Sequence, residues 1–309
     1  MIHPEAIELV RAAEAAGRPK LRDIPPEIAR EIVMLSIKAM DAPIEDVADV
    51  REFAVPGYTP STRVRLYTPA TQTFGYVLLF FHGGGWVLGN VESHDQLCRS
   101  LANALELRVV SLDYRLAPEH PFPAAYDDAM ATAEWIAASP SLFGAVVPGV
   151  ILCGDSAGGN LAAAVAANWR QETPLRAQLL LYPVLDISSR PASYDIFGKG
   201  LLLEAEDMEF FINAYAPDPS VHRDPRLSPL HASVTSVPPT VIVTAGADVL
   251  RDEGRAYAAS LISSGIETHF FEAAGFLHGW ATARGALPSV NLLFRQILTC
   301  LRTTLLSTE

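Results

Sequence analysis

The chain has 309 residues, half of them apolar, and 35 acidic against 23 basic side chains give it a net charge of −12. That apolar content can bury a sizeable core, while no run reaches the roughly 18 uncharged apolar residues that a membrane-spanning helix needs. The acidic balance argues against a nucleic-acid partner, since neutralising phosphates needs a basic patch.

In chain order, 4–16 and 26–40 read as helices, the second with an apolar stripe at Ile28, Ile32, Leu35 and Ala39. Residues 51–55 and 62–68 alternate and predict an antiparallel start to a sheet. Residues 75–81 are almost continuously apolar, as in a parallel strand buried on both faces. Further strands are expected at 108–112, 149–153, 177–182, 240–245 and 267–272. Helices are expected between them at 93–106, 124–138, 156–171, 251–264 and 286–303. This alternation predicts a mostly parallel sheet of about eight strands covered on both faces. The longest interruption, 186–238, holds one helix, 203–215, and several prolines. The chain therefore divides into an N-terminal helical segment (1–50), a core (51–185), an insertion (186–238) and the rest of the core (239–309).

Gly154-Asp155-Ser156-Ala157-Gly158 fits the G-x-S-x-G pattern, and it lies between an apolar strand and a helix. A serine on such a turn is held in a strained backbone with its hydroxyl above the sheet edge. The strand at 75–81 runs into His82-Gly83-Gly84-Gly85-Trp86. Three glycines let backbone amides converge on one point, which suits a tetrahedral oxyanion. Gly83, Gly84, Gly85 and Ala157 are the candidate donors. Neither G-x-G-x-x-G nor Gly-Lys-Ser/Thr occurs, so the dinucleotide and P-loop readings fail.

Chain order then selects the partners of Ser156. In this arrangement an acid follows the serine and a histidine follows the acid. Asp248 lies at the carboxyl end of the β-branched strand 240–245; its rival, Asp252, sits at a helix start where an acid suits the dipole. Of the two histidines beyond Asp248, His269 falls inside a strand pattern, and His278 lies in a glycine-flanked loop. Ser156, His278 and Asp248 are thus the candidate nucleophile, base and orienting acid.

Trp86, Asp155, Leu203, Phe211 and Trp280 are candidates for lining a substrate pocket. Leu201 to Leu203 and Phe210 to Ile212 serve either as pocket wall or as the insertion's own core. Asp155 is expected to hold the glycine loop through backbone hydrogen bonds, and Glu119 to pair with Arg115 or cap a turn.

These segments, with Asp113-Tyr114-Arg115-Leu116-Ala117-Pro118-Glu119, Phe122-Pro123-Ala124-Ala125, Tyr182-Pro183, Ser228-Pro229-Leu230, Thr244-Ala245-Gly246 and His278-Gly279, stand in one order over about 75–280. In them the chain resembles the hormone-sensitive-lipase-like (bacterial family IV) carboxylesterases of the α/β-hydrolase superfamily. The resemblance implies an α/β-hydrolase fold in which 1–50 and 186–238 form a helical cap. It also implies hydrolysis of short- to medium-chain acyl esters through Ser156, His278 and Asp248. Amide, lactone or thioester substrates, acyl transfer to another acceptor, and a catalytically silent ligand-binding protein are the alternatives.

No metal spacing occurs and the chemistry needs no cofactor. The three cysteines (Cys98, Cys153, Cys300) lack zinc or redox spacing, and the start of the chain lacks a basic region followed by an apolar stretch. A cytoplasmic location is expected on these grounds. The partner is a small-molecule ester, and a homodimer through the strand at 267–272 is a further expectation if that strand lies at a sheet edge.

Overall fold

The computed structural model describes residues 1–17, 19–55, 62–235 and 237–307. Eight strands form one sheet: β1 (Asp49–Ala54), β2 (Arg63–Thr68), β3 (Val77–Phe81), β4 (Arg108–Asp113), β5 (Val150–Asp155), β6 (Leu175–Leu181), β7 (Thr240–Ala247) and β8 (Thr268–Leu277). Their order is β1-β2-β4-β3-β5-β6-β7-β8. β1 pairs antiparallel with β2 and β2 antiparallel with β4; every other pairing is parallel. The mostly parallel sheet expected from the alternation is observed, as is the α/β-hydrolase fold that the resemblance implied, with β8 at one edge.

The central strands are apolar at successive positions because both faces are covered. Along β3, Leu79 and Phe81 enter the core on one side, while Leu78 and Phe80 enter the core on the other. Helices α4 (Ala124–Ala137), α5 (Ala157–Asn168) and α8 (Arg251–Ser263) contribute to the first core. Helices α3 (Asp95–Leu105) and α9 (Val290–Ser307) contribute to the second. From Ala157 to Ala167 every residue of α5 is buried, and its alanine-rich surface lets the helix lie close to the sheet behind the elbow.

The remaining helices are α1 (Pro4–Ala15) and α2 (Pro26–Met40) of the N-terminal segment and α6 (Ala192–Phe197) and α7 (Ala205–Tyr215) of the insertion. Of these, α2, α6 and α7 add Ala29, Tyr194 and Phe211 to the first core. Helix α2 is pinned at both ends. Near its start Arg30 donates to the carbonyls of Val87 and Ala117 and, bidentately, to Glu119 at 2.8 and 2.7 Å. Past its end, Asp41 meets Arg284 in a buried pair at 2.8 and 3.0 Å. Glu119 thus ties an N-terminal helix to the core instead of pairing with Arg115, whose partner is Asp128. Arg22 bridges the two outer segments through Asp207 and Glu206, both at 2.6 Å.

Several boundaries differ from the sequence reading, and three of them have a clear local cause. β8 continues through Ala273-Ala274-Gly275, because a register shift between Ala245 and Ala247 lets the ladder resume at Ala247 and Leu277. Helix α5 stops at Asn168, and Trp169 turns out at ψ 132° with its indole N–H on the Thr173 carbonyl. Helix α9 starts at Val290, just after Pro288. The short helix α6 was not anticipated.

Candidate active site

Ser156 sits between β5 and α5 at φ 55°, ψ −120°. A non-glycine residue with positive φ is uncommon and strained. Its N–H donates to the Leu181 carbonyl at 2.9 Å, and its own carbonyl accepts from Asn160 and Val184. The two strand ends thereby hold the turn, and the hydroxyl faces the cavity.

His278 directly follows β8, so its position is set by the last ladder pair of that strand rather than by a free loop. Its Nε2 lies 2.8 Å from Ser156 Oγ, and its Nδ1 lies 2.7 Å from Asp248 Oδ2. A neutral imidazole satisfies both contacts when Nδ1 carries the hydrogen. Asp248 follows β7, is 2% exposed, and takes a further hydrogen bond from the Leu250 amide at 3.1 Å. The ring of Tyr182 packs edge-on to the imidazole at 4.8 Å. Asp252 serves elsewhere, accepting from the Ser193 amide and from Arg251, and His269 faces Glu267 at 3.1 Å.

Of the four amides expected near the oxyanion, one is already engaged. Gly83 N–H donates to Asp155 Oδ1 at 2.8 Å. The amides of Gly84, Gly85 and Ala157 donate to no other group among the described residues. Gly85 lies at φ +61°, and a Cβ there would fall 2.2 Å from the Phe211 ring. The third glycine is therefore required by the insertion as well as by the loop, since α7 lays an aromatic ring directly on it.

Asp155 is buried and reaches His94 Nε2 at 3.2 Å as well as the Gly83 amide. His94 in turn contacts Ser93 Oγ at 2.8 Å. Desolvation raises the Asp155 pKa, but the facing His94 charge, the His94 hydrogen bond and the Gly83 amide outweigh it and hold the carboxyl below its ordinary value. A depressed native pKa stabilises the fold above the unfolded pKa of about 3.9, and the contribution is lost as pH falls through the native value. Asp155→Asn should therefore melt below wild type near neutrality, and the gap should close as pH falls below about 4. Melting temperatures of both proteins against pH check this; a gap of constant size down to acid pH would mean the carboxylate charge is not its source.

A cavity of about 190 Å³ opens above Ser156. The N-terminal segment supplies Leu21, Val33, Ile37 and Met40 to its wall, and the insertion supplies Leu202, Leu203, Met208 and Phe211. Leu88, Val184 and Leu287 complete an almost wholly apolar lining.

Leu203 and Phe211 thus stand where a pocket wall was expected. Trp86 and Trp280 do not: both are fully buried behind the wall. Trp86 stacks on Tyr215 at 4.7 Å, and Trp280 packs edge-on against Tyr182 and Phe294. An indole that large, next to a tightly packed sheet edge, is consumed by the core. Asp155 borders the cavity with its oxygens turned to Gly83 and His94. The wall residues from α2 escaped the sequence reading. The helix stripe at Val33, Ile37 and Met40 was the available signal, but Ile28 and Leu35 of the stripe that was chosen point to solvent.

The pattern of a protein family described as having the α/β-hydrolase fold matches residues 78–282. The carboxylic ester hydrolase LipN of Mycobacterium tuberculosis is 41% identical over 242 residues, 75% of this chain and 64% of its own length. The chain thus spans just under two thirds of that relative. An arylesterase of Saccharolobus solfataricus is 32% identical over 278 residues, 88% of this chain and 90% of its own. Among solved structures, an α/β hydrolase from the Lake Arreo metagenome superposes with a TM-score of 0.91 at 39% identity, covering 96% of both chains. The esterase of the archaeon Pyrobaculum calidifontis gives 0.91 at 32% identity, covering 100% of this chain and 99% of its own. With these relatives and this fold, the chain belongs to the α/β-hydrolase family, in its hormone-sensitive-lipase-like branch of carboxylesterases.

Proposed function

We propose that the protein hydrolyses short- to medium-chain acyl esters through an acyl-enzyme on Ser156. The observation that carries this reading is the unbroken contact from Ser156 Oγ through His278 to Asp248, at 2.8 and 2.7 Å, beside three amides with no other partner among the described residues. His278 Nε2 takes the Ser156 proton as Oγ attacks the ester carbonyl. Asp248 keeps Nδ1 protonated and balances the imidazolium. The oxyanion is held by the amides of Gly84, Gly85 and Ala157, with Gly83 locked to Asp155 so that the loop is set before substrate arrives. His278 then protonates the leaving alcohol, and water repeats the cycle on the acyl-enzyme.

The small apolar cavity favours neutral, compact acyl groups. The ethyl acetate hydrolase of Pseudomonas putida, 39% identical over 222 residues, points the same way. Residues 1–50 and 186–238 act as a cap that sets this volume, since both supply wall residues. The test is hydrolysis of p-nitrophenyl esters from acetate to palmitate, with Ser156→Ala alongside. Activity confined to the shorter chains and absent from the variant is expected. Turnover extending to palmitate would replace the chain-length reading with a lipase. A folded protein inactive on every ester would turn the assignment to amides, lactones, acyl transfer or ligand binding.

Two finer readings accompany this one. β8 is a sheet edge with Phe270 40% exposed, and two such edges pairing would give a homodimer. A monomeric mass by light scattering at micromolar concentration would dismiss it. The free cysteines Cys98, Cys153 and Cys300 suit the reducing cytoplasm, which fractionation of cells expressing the protein would check.

A further inference from the structure

Beside the catalytic cavity lies a second one, of about 420 Å³. It is formed by the insertion, with Ile187, Tyr194, Ile212, Asn213 and His222 among its walls. Among the described residues, Met208 alone lines both cavities. It is 2% exposed, so its side chain fills the partition between them. A methionine is unbranched and has three rotatable side-chain bonds. Met208 makes no side-chain hydrogen bond among the described residues, so it can change rotamer without losing one.

The second cavity also holds a polar group with no assigned partner. Tyr194 is 8% exposed, and its hydroxyl makes no hydrogen bond among the described residues. Of the other polar walls, His222 Nε2 is on the Ala216 carbonyl, Ser188 and Ser189 are on Asp186, and Arg190 is on Glu209, while Asn213 is exposed at the rim. Unlike the hydroxyls of Tyr182 and Tyr257, which are sealed in without a partner among the described residues, that of Tyr194 keeps access to solvent, so it is free to donate to a ligand or water in the cavity. Burial raises the Tyr194 pKa well above the ordinary tyrosine value, so the group stays a donor at working pH.

We infer that the second cavity is a distal subsite for the same esters, in which the Tyr194 hydroxyl donates to a carbonyl or ether oxygen near the end of a substrate long enough to pass Met208. This rests on the esterase reading above. It goes further in naming the preferred substrate: an ester carrying a hydrogen-bond acceptor several bonds from the scissile carbonyl. A site that hydrogen-bonds a substrate oxygen discriminates against an analogue lacking it, and binding energy realised far from the reacting carbon still raises kcat/KM.

The experiment uses the full chain and matched pairs of equal length. On the acyl side these are p-nitrophenyl heptanoate and its methyl-ketone analogue; on the alcohol side, hexyl acetate and its methyl-ketone analogue. Each kcat/KM is taken relative to p-nitrophenyl acetate. Wild type is expected to prefer the ketone by about tenfold in at least one pair, as one additional hydrogen bond allows. Tyr194→Phe should erase that preference. Asn213→Trp, which fills the cavity from its rim, should lower both long substrates relative to acetate. Met208→Ala should raise them, and adding Asn213→Trp should reverse the gain.

Equal rates within both pairs, or a ketone preference that survives Tyr194→Phe, would overturn the inference. So would a Met208→Ala gain that Asn213→Trp leaves intact, since the room would then lie at Met208 itself. Failure of wild type to hydrolyse the acetate would instead strike the esterase reading. Circular dichroism melts of each variant separate these outcomes from misfolding.

Discussion

His278→Ala is expected to lower kcat on short esters by roughly 10⁴–10⁶ while leaving the melting temperature close to wild type. The size follows from the geometry. Ser156 Oγ has one base within reach, His278 Nε2 at 2.8 Å, and a serine hydroxyl is a weak nucleophile without one. The small effect on stability follows from position. His278 is partly exposed to the cavity at the end of β8, and its removal uncovers Asp248, which keeps the Leu250 amide. The pair Ser156→Ala, His278→Ala should be scarcely worse than either change alone, because residues that act as one unit do not add. Steady-state kinetics of the three variants, with melting curves, measure this. A doubly substituted protein whose loss is the product of the single losses would mean that the serine and histidine act independently.

Gly158→Ala is expected to do the opposite, removing folded protein before it affects any chemical step. An added Cβ at Gly158 would fall 1.9 Å from the carbonyl oxygen of Phe81 and 2.7 Å from that of His82. Both are backbone atoms at the end of β3, where the chain enters the glycine loop. Neither can rotate away, so β3 or the start of α5 must shift. Overpacking a rigid site costs about 1–3 kcal/mol, occasionally more. Here the displaced atoms also position the amides of Gly84 and Gly85. The variant should show a melting temperature lower by several degrees and reduced kcat in whatever fraction stays folded. Gly144→Ala is the control: a Cβ there meets nothing within 4 Å, although its φ of +69° carries some strain. Equal melting points for the two variants would show that the contact with β3 is not what requires glycine at 158.

The two expectations divide along what was readable beforehand. Periodicity located the eight strands because an apolar run such as Val77–Phe81 is written by two buried faces. Strand ends were less secure. The end of β8 was placed five residues early because Ala273-Ala274-Gly275 carries no apolar alternation; the ladder with β7 is what keeps it extended. The triad candidates followed from chain order, since the strand-end positions of this fold leave few acids and histidines after the serine.

Side-chain partners were not legible, because they depend on which elements meet. Glu119 was weighed against its neighbour Arg115 and proved to face Arg30, 89 positions away on α2. Trp86 and Trp280, each beside a functional residue in sequence, turned into the core. Sequence adjacency says nothing about the face a side chain takes when the backbone turns sharply.

By itself, then, the sequence determined the order of strands and helices, the elbow, the glycine loop, and the acid and base that chain order permits. Those are local or periodic properties, written in residues that touch in sequence or repeat at fixed steps. Only the tertiary structure decided that Gly83 spends its amide on Asp155, that Phe211 rests on Gly85, and that Met208 lines two cavities. Each of these joins segments tens of residues apart, and such contacts are chosen by packing after the elements have formed.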